Sequence, residues 1–558
     1  MFPVLSLACG CLSTLLLSRS ALAAEVTLPY GTFAGLDNYL SDSGVELPRP
    51  LTAFLNIPYA APPTGQRRFA YPQPPLQANG TINSTEYGPV CLQAGSAKMD
   101  EDCLSLAVFA PNGTSKLDKL PVVIWIPGGA FNTGSGHAFN LASMVSNAPA
   151  NYIGVSINYR LGALGFLPSN LTYRANLLNL GLYDQACAVE WVQKYISLFG
   201  GDPNQASSIE YNNRELLFTK HQVTLFGESA GATSIGYHLL RLNGNPPFKR
   251  VIMDSGGPTS RAFPNWTYPL YQTQTEEFLN LTGCFRGEDE AATFDCLRAV
   301  PQNNIKNASV AVFAKYNAAV TWPFQPVIDQ KFISQAAHIS WESGQLNKVP
   351  ILTGFNSDEG SIFVPRNLNT TEQFQLFFKN LAPLISDSQL ATVAELYPGP
   401  EVPGSPYANS PLSPQFSRVN AAYGDFAYIA QVQATAIYAS KLGLPIWKYH
   451  FAHLTPSADL NLGVYHGSEL PFVSASIAAA VPGELSDQAK LMNAYWSSFI
   501  VTGDPNKLLN GTAPYWTKYT TKNQTQIKLS NGTAYTKADD IRRNATDFWR
   551  SIPDILMH

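Results

Sequence analysis

The stretch QVTLFGESAGATSIGYHLL, residues 222–240, reads as three pieces in a row. VTLF is a short apolar run without polar alternation, as expected of a strand buried on both faces. GESAG, residues 227–231, places Ser229 between Gly227 and Gly231. ATSIGYHLL is helix-like. A strand that reverses into a helix through G-x-S-x-G is the nucleophile-elbow pattern. The serine sits on a strained turn, and the glycines let the backbone fold tightly without side-chain clash. The pentapeptide is weak by itself, and its flanks strengthen the reading.

Working outward, the same grammar repeats. LPVVIWIPGG and YIGVSINYR upstream, and RVIMDSGG and VPILTGFNSDEG downstream, are short β-rich runs ending in turn residues. LGLYDQACAVEWVQKYISLFGG spaces its apolar residues three and four apart and stops on Gly-Gly, which suits a helix. Alternating strands and helices predict an α/β fold with a large, mostly parallel sheet. Residues 265–345 and 365–445 read as helices and loops, and are expected to cap the carboxyl ends of the strands.

Composition agrees. The 558-residue chain is 45% hydrophobic and 14% charged, with a net charge of −4, which is ample for a large core. No basic run marks a nucleic-acid partner. The N-terminus is apolar and ends in Ala21-Leu22-Ala23, a small-residue pattern suited to signal cleavage after residue 23. The competing reading is a membrane anchor. Arg19 and the shortness of the run favour a signal peptide and secretion, without integral membrane association. Cys9 and Cys11 fall in that segment. Cys91/Cys103 and Cys284/Cys296 share a spacing of twelve, which suits two local disulfides in an oxidising compartment. Each would stabilise by about 3 kcal/mol in the chain-entropy model. Cys187 remains as a buried free thiol. No CxxC or His cluster points to a metal. Asn-x-Ser/Thr sequons at Asn79, Asn83, Asn112, Asn170, Asn265, Asn280, Asn307, Asn369, Asn510, Asn523, Asn531 and Asn544 argue for a glycosylated surface.

A serine nucleophile needs a base, a group to orient that base, and donors for an oxyanion. Among the eight histidines, His466 in GVYHGSELPF suits the base; the alternative is a surface-loop histidine. GFNSDEGSIF offers two acids, Asp358 and Glu359, at a strand end. PGGAF follows the strand VVIWI, and the N–H groups of Gly129 and Ala130, with that of Ala230, could cradle an oxyanion. The alternative for PGGAF is an ordinary tight turn.

Taken together, FLNIPYAAPPTGQRRF, EDCLSLAVFAP, PGGAF, NYRLGALGFL, GLYDQACAVEWVQKYISLFGGDPNQ, GFNSDEGSIF, GVYHGSELPF and FIVTGDPN resemble the type-B carboxylesterase family, which includes cholinesterases and large fungal lipases. The resemblance covers nearly the whole chain after residue 23 and implies one α/β-hydrolase domain over residues 24–558. It implies Ser229 as nucleophile, Glu359 rather than Asp358 as the acid, and His466 as base. It also implies Gly129, Ala130 and Ala230 as oxyanion donors, disulfides Cys91–Cys103 and Cys284–Cys296, a small-molecule ester substrate and no cofactor.

Three departures matter. In the cholinesterases and large lipases the first disulfide closes a long loop, bearing a choline-binding tryptophan or an apolar lid. Here LQAGSAKMDED separates the two cysteines, with no aromatic residue. That suits a soluble ester better than a lipid surface, so a lipase or sterol esterase is the second reading. A non-catalytic adhesion protein of the same fold is a third, disfavoured because all three catalytic positions are filled. Ala130 stands where many members have a third glycine, and its methyl would narrow the site. Finally, residues 206–222 interrupt text that would otherwise run from GGDPNQ straight to VTLFGESAG. They read as a surface insert away from the site or as a retained intron.

Overall fold

The computed structural model describes residues 24–557, apart from 43–44, 96, 203–222, 243–245, 262–263, 288, 456–458, 478–482, 510 and 512. The expected signal segment and the 206–222 insert therefore lie outside the described residues.

An eleven-stranded sheet organises the molecule. From one edge its order is Thr533–Ala538, Thr525–Ser530, Ile446–Phe451, Ile351–Asn356, Arg250–Asp254, Val223–Glu228, Val122–Ile126, Ile153–Ile157, Ser105–Pro111, Val45–Pro58 and Leu36–Asp42. From Thr525–Ser530 through Ile153–Ile157 every neighbouring pair is parallel. The flanking pairs are antiparallel. The parallel centre contains all five strands expected from the sequence. The outer strands were less legible. Thr533–Ala538, for one, faces water over much of its length, whereas Ser105–Pro111 is buried along nearly all of its own.

Each central strand feeds two cores, because successive side chains point to opposite faces. Val122, Ile124, Leu225, Val251 and Ile351 pack into one. Val123, Trp125, Phe226, Ile252 and Leu352 pack into the other, with Trp496 and Phe499 from helix Glu484–Thr502. A strand covered on both sides has no position for a polar alternation, which is why these runs read as continuously apolar. A third core holds the expected cap. Trp322, Phe374, Phe378, Tyr423, Phe426 and Trp549 cluster among helices including Thr371–Leu381 and Phe416–Gly424. Between Phe416–Gly424 and Ala430–Lys441 lies a π-helical turn, Asp425–Ile429. This is the α/β-hydrolase fold.

Both disulfides form as paired in the sequence, Cys91–Cys103 and Cys284–Cys296. Cys187 is free but half-buried rather than fully buried. Burial pushes its thiol up to about 12, so it stays protonated and unreactive. The Cys91–Cys103 segment is strapped down. Val90 bridges Met99, and Glu101 forms a buried ion pair with Arg68 at 2.8 Å. Gln93 Nε2 donates to Gly134 O, while Gln93 Oε1 accepts from Gly134 N, each at 2.8 Å.

Candidate active site

Ser229 sits between strand Val223–Glu228 and helix Ala230–Leu240 with φ 58° and ψ −124°. Such a backbone costs about 1–3 kcal/mol and persists only where its surroundings over-determine it. Here the surroundings do so by proximity. A Cβ on Gly231 would lie 2.1 Å from Ile126 O, and one on Gly227 would lie 2.7 Å from the Gly231 carbonyl carbon. Ser229 N also donates to Asp254 O on the next strand, at 3.0 Å.

His466 and Glu359 come from loops after two other strands, and the fold brings them together. His466 Nδ1 lies 2.5 Å from Glu359 Oε2. Glu359 is fully buried, and its Oε1 accepts from Asn356 N at 2.6 Å and from Ser255 Oγ at 2.7 Å. Those donors fix the carboxylate, which in turn fixes the ring with Nδ1–H toward Glu359. The lone pair of Nε2 is then the basic position. Asp358 faces elsewhere. Its N–H donates to Val464 O, and its Oδ2 accepts from Val464 N, both at 2.9 Å. Asp358 thus braces the 463–466 loop that presents His466. Gly463, at φ 64°, is required there, since a Cβ would meet Asp358 Oδ2 at 2.4 Å.

Nε2 of His466 lies 2.9 Å from Glu228 Oε1. The two are not aligned as a hydrogen bond, and among the described residues Nε2 has no hydrogen-bond partner, Ser229 Oγ included. Serine–histidine contacts of this kind tighten in the Michaelis complex. Burial alone would lower the basicity of His466, but Glu228 and Glu359 outweigh it and hold its pKa up at about 10. Beneath the ring is a stack of buried acids. Burial, with Glu228 and Glu359 nearby, pushes Glu469 up to about 8, and burial with Glu469 raises Asp254. Burial and mutual repulsion among these carboxylates therefore both disfavour their charged forms. Phe363 and Tyr428 wall the imidazole, with ring centroids 5.0 and 4.4 Å away.

The turn after Val122–Ile126 approaches the elbow. A Cβ on Gly128 would lie 3.0 Å from Ser229 Cβ. Gly129, Ala130 and Phe131 all have positive φ, at 108°, 53° and 61°. The N–H groups of Gly129 and Ala130 have no acceptor among the described residues. Ala230 opens its helix, so its N–H has no intrahelical acceptor either.

The sequence reading missed Glu228, Phe363 and Tyr428. Glu228 is the second residue of GESAG and could have been singled out by its place. Tyr428 could not, because it reaches His466 from the π-helical turn of the cap.

The sequence model of the carboxylesterase family matches residues 23–211 and 218–549. The chain belongs to the carboxylesterase family. As a carboxylesterase-family member it is a carboxylic ester hydrolase. It is 35% identical to "Secreted lipase 4" of Gibberella zeae, over 93% of this chain and 92% of that protein. It is 26% identical to "Acetylcholinesterase 1" of Caenorhabditis elegans, over 93% and 87%. Its structure resembles that of Aspergillus niger EstA, with a TM-score of 0.81 and 27% identity, over 96% and 99%. The residues that the family match skips, 212–217, fall within the segment 206–222, whose remaining residues it covers.

Proposed function

We propose that this carboxylesterase is a secreted, glycosylated enzyme that cleaves soluble carboxylic esters through an acyl-enzyme on Ser229. The observation that carries the reading is the buried Glu359–His466 pair beside a serine on a strained elbow. Ser229 Oγ attacks the ester carbonyl as His466 Nε2 takes its proton. Glu359 holds the tautomer, and Glu359 and Glu228 together stabilise the imidazolium. The oxyanion is met by the N–H groups of Gly129, Ala130 and Ala230. His466 returns the proton to the leaving alcohol, then activates the water that frees the acid.

Secretion is supported by the 1–23 segment, by the two disulfides and by the name of the Gibberella relative, "Secreted lipase 4". Every sequon asparagine among the described residues is exposed, which supports glycosylation. Among those residues no helix is long and apolar enough to cross a membrane. Residues 24–558 act as one catalytic unit. Fluorophosphonate labelling tests the mechanism. The wild type should label at one serine, and Ser229→Ala should lose both the label and turnover, by about 10⁴-fold or more. Turnover surviving in Ser229→Ala would sink the assignment.

The second reading is a lipase, favoured by the names of relatives such as "Secreted lipase 4" and "Lipase 1" of Geotrichum candidum. Against it stands the strapped Cys91–Cys103 segment, tied through Gln93 and Glu101 rather than free to open. Rates on triglycerides across the solubility limit separate the two, since a lipase jumps there and this enzyme should not.

A further inference from the structure

We infer that Asn132 and Gln325 are positioning residues of the oxyanion turn, holding Ala130 in place from within the site and from the cap. The inference rests on the reading of Gly129 and Ala130 as oxyanion donors.

Two peptide planes meet at Ala130. In the first, Gly129 O accepts from Asn132 N at 3.0 Å, Thr133 N at 2.9 Å and Thr133 Oγ1 at 3.1 Å. Its carbonyl is anchored on the protein side, so the opposite end of that plane, Ala130 N–H, is turned away from those donors. In the second plane, Ala130 O accepts from two side-chain amides. Asn132 Nδ2 is 2.8 Å away and Gln325 Nε2 is 2.9 Å away. The same nitrogens each donate to Pro323 O at 3.0 Å. Two carbonyl oxygens therefore face the Asn132 amide and three face that of Gln325, whose Nε2 also lies 3.2 Å from Phe324 O, and an amide NH₂ supplies two hydrogens to such a cluster. The far end of Gln325 agrees, since its Oε1 faces Arg261 Nη1 at 3.5 Å. That guanidinium stacks on Trp322 at 3.7 Å. Both amides are buried, with Asn132 6% and Gln325 2% exposed.

The turn needs such a clamp because of its residue types. Ala130 and Phe131 are consecutive non-glycine residues at positive φ, a conformation that L-residues seldom adopt and do not hold unaided. Asn132 lies two residues beyond Ala130, whereas Gln325 is 195 residues away in the cap. The cap therefore does more than cover the sheet. It sets the geometry of the group meant to receive the developing charge. A donor misplaced by a fraction of an ångström loses much of its value in the transition state, with little effect on ground-state binding.

The experiment compares Gln325→Met, Asn132→Leu and the double variant with wild type, in the full chain. The readouts are kcat and KM on a short-chain ester, and Ki for a trifluoromethyl ketone, whose serine adduct carries its oxyanion in the hole. Single variants should lower kcat about ten- to a hundredfold with KM within about threefold, and raise the ketone Ki by a matching factor. The double variant should lose more than either. Unchanged kcat and unchanged ketone Ki in folded protein overturn the proposal, as does a fall in Tm without a change in either. If Gln325→Met does not fold, Asn132→Leu is read by the same criteria. Ser229→Ala run alongside separates the layers. Its inactivity, with normal kcat in the amide variants, rejects the clamp alone, while its activity rejects the reading beneath.

Discussion

The elbow at 227–231 and the turn at 128–134 face each other across the site, and both hold backbone that an ordinary residue avoids. They enforce it differently. The elbow uses absence of side chain: Gly231 has Ile126 O where its Cβ would be. The turn adds presence of side chain to such exclusion: a Cβ on Gly129 or Gly134 would lie 2.2 Å from a backbone oxygen, but Ala130 and Phe131 are kept at positive φ among the amides of Asn132 and Gln325, with Gln93 holding Gly134 at the far end. Strain stored by exclusion is written locally in glycines. Strain stored by hydrogen bonding is written in residues scattered through the chain.

That contrast can be broken most sharply at Gly231. Gly231→Ala forces a methyl to within 2.1 Å of a carbonyl on a fully buried strand, which cannot yield without displacing its neighbours. We expect loss of at least about three orders of magnitude in activity, or loss of soluble protein, from overpacking against backbone. Near-normal turnover in Gly231→Ala would show that the elbow has slack, and that exclusion is not what holds it.

Next in size is the choice between the two neighbouring acids. Glu359→Gln removes the charge that orients His466 and should lower kcat about 10³- to 10⁴-fold, by analogy with loss of the triad acid elsewhere. Asp358→Asn leaves the ring's partner intact and disturbs only the brace to Val464, so we expect a loss of about tenfold or less, with a lower Tm. Kinetics and melting curves of the pair decide it; the reverse ranking would exchange the roles.

The same pair shows how much was legible. Ser229, His466 and the two disulfides sit in short motifs whose chemistry is local, and the α/β alternation gave the parallel centre. Asp358 and Glu359 could not be separated by their residues alone, because adjacent side chains on a turn diverge in space and only the fold says which meets His466. Glu228, Phe363, Tyr428, Asn132 and Gln325 matter through contacts between distant segments. Tyr428 depends on a π-helical turn, which no residue pattern announced.

A smaller effect is expected from charge. Glu228 lies against Nε2 of His466 and helps hold its pKa up. The base works only when neutral, so the acid limb of kcat/KM should lie above the ordinary histidine range. Glu228→Gln removes a negative charge, which lowers the pKa of His466. The acid limb should therefore move to lower pH, by about one unit or more, while the plateau falls about tenfold because the imidazolium is less stabilised. A pH–rate profile with an unmoved limb would show that Glu228 does not set the base.

The smallest effect should come from the largest change, deletion of residues 206–222. The ends of the chain around them are fixed beside each other. Leu120 pairs with Gly201, and Asp202 N donates to Leu120 O at 2.8 Å. Two residues further along the same segment, Val122 pairs with Val223. Asp202 and Val223 therefore flank one short stretch of strand, whose residues advance about 3.3 Å each. After the deletion, residues 203–205 remain to join them, and three residues with their flanking bonds span up to about 13 Å. The connection closes without moving either partner. It also closes at the start of strand Val223–Glu228, whereas Ser229 stands just past its other end. Ligands in such sheets bind at the carboxyl ends of the strands, so the shortened segment lies on the far side from the chemistry. The entropy of closing a connection changes only slowly with its length, so shortening this one restores little. We expect kcat/KM within about twofold of wild type and a Tm that is unchanged or slightly higher. A folded but inactive deletion variant would show that the insert reaches the site after all. Sequencing the mature transcript answers the separate question of origin, since a message encoding all of 206–222 rules out a retained intron.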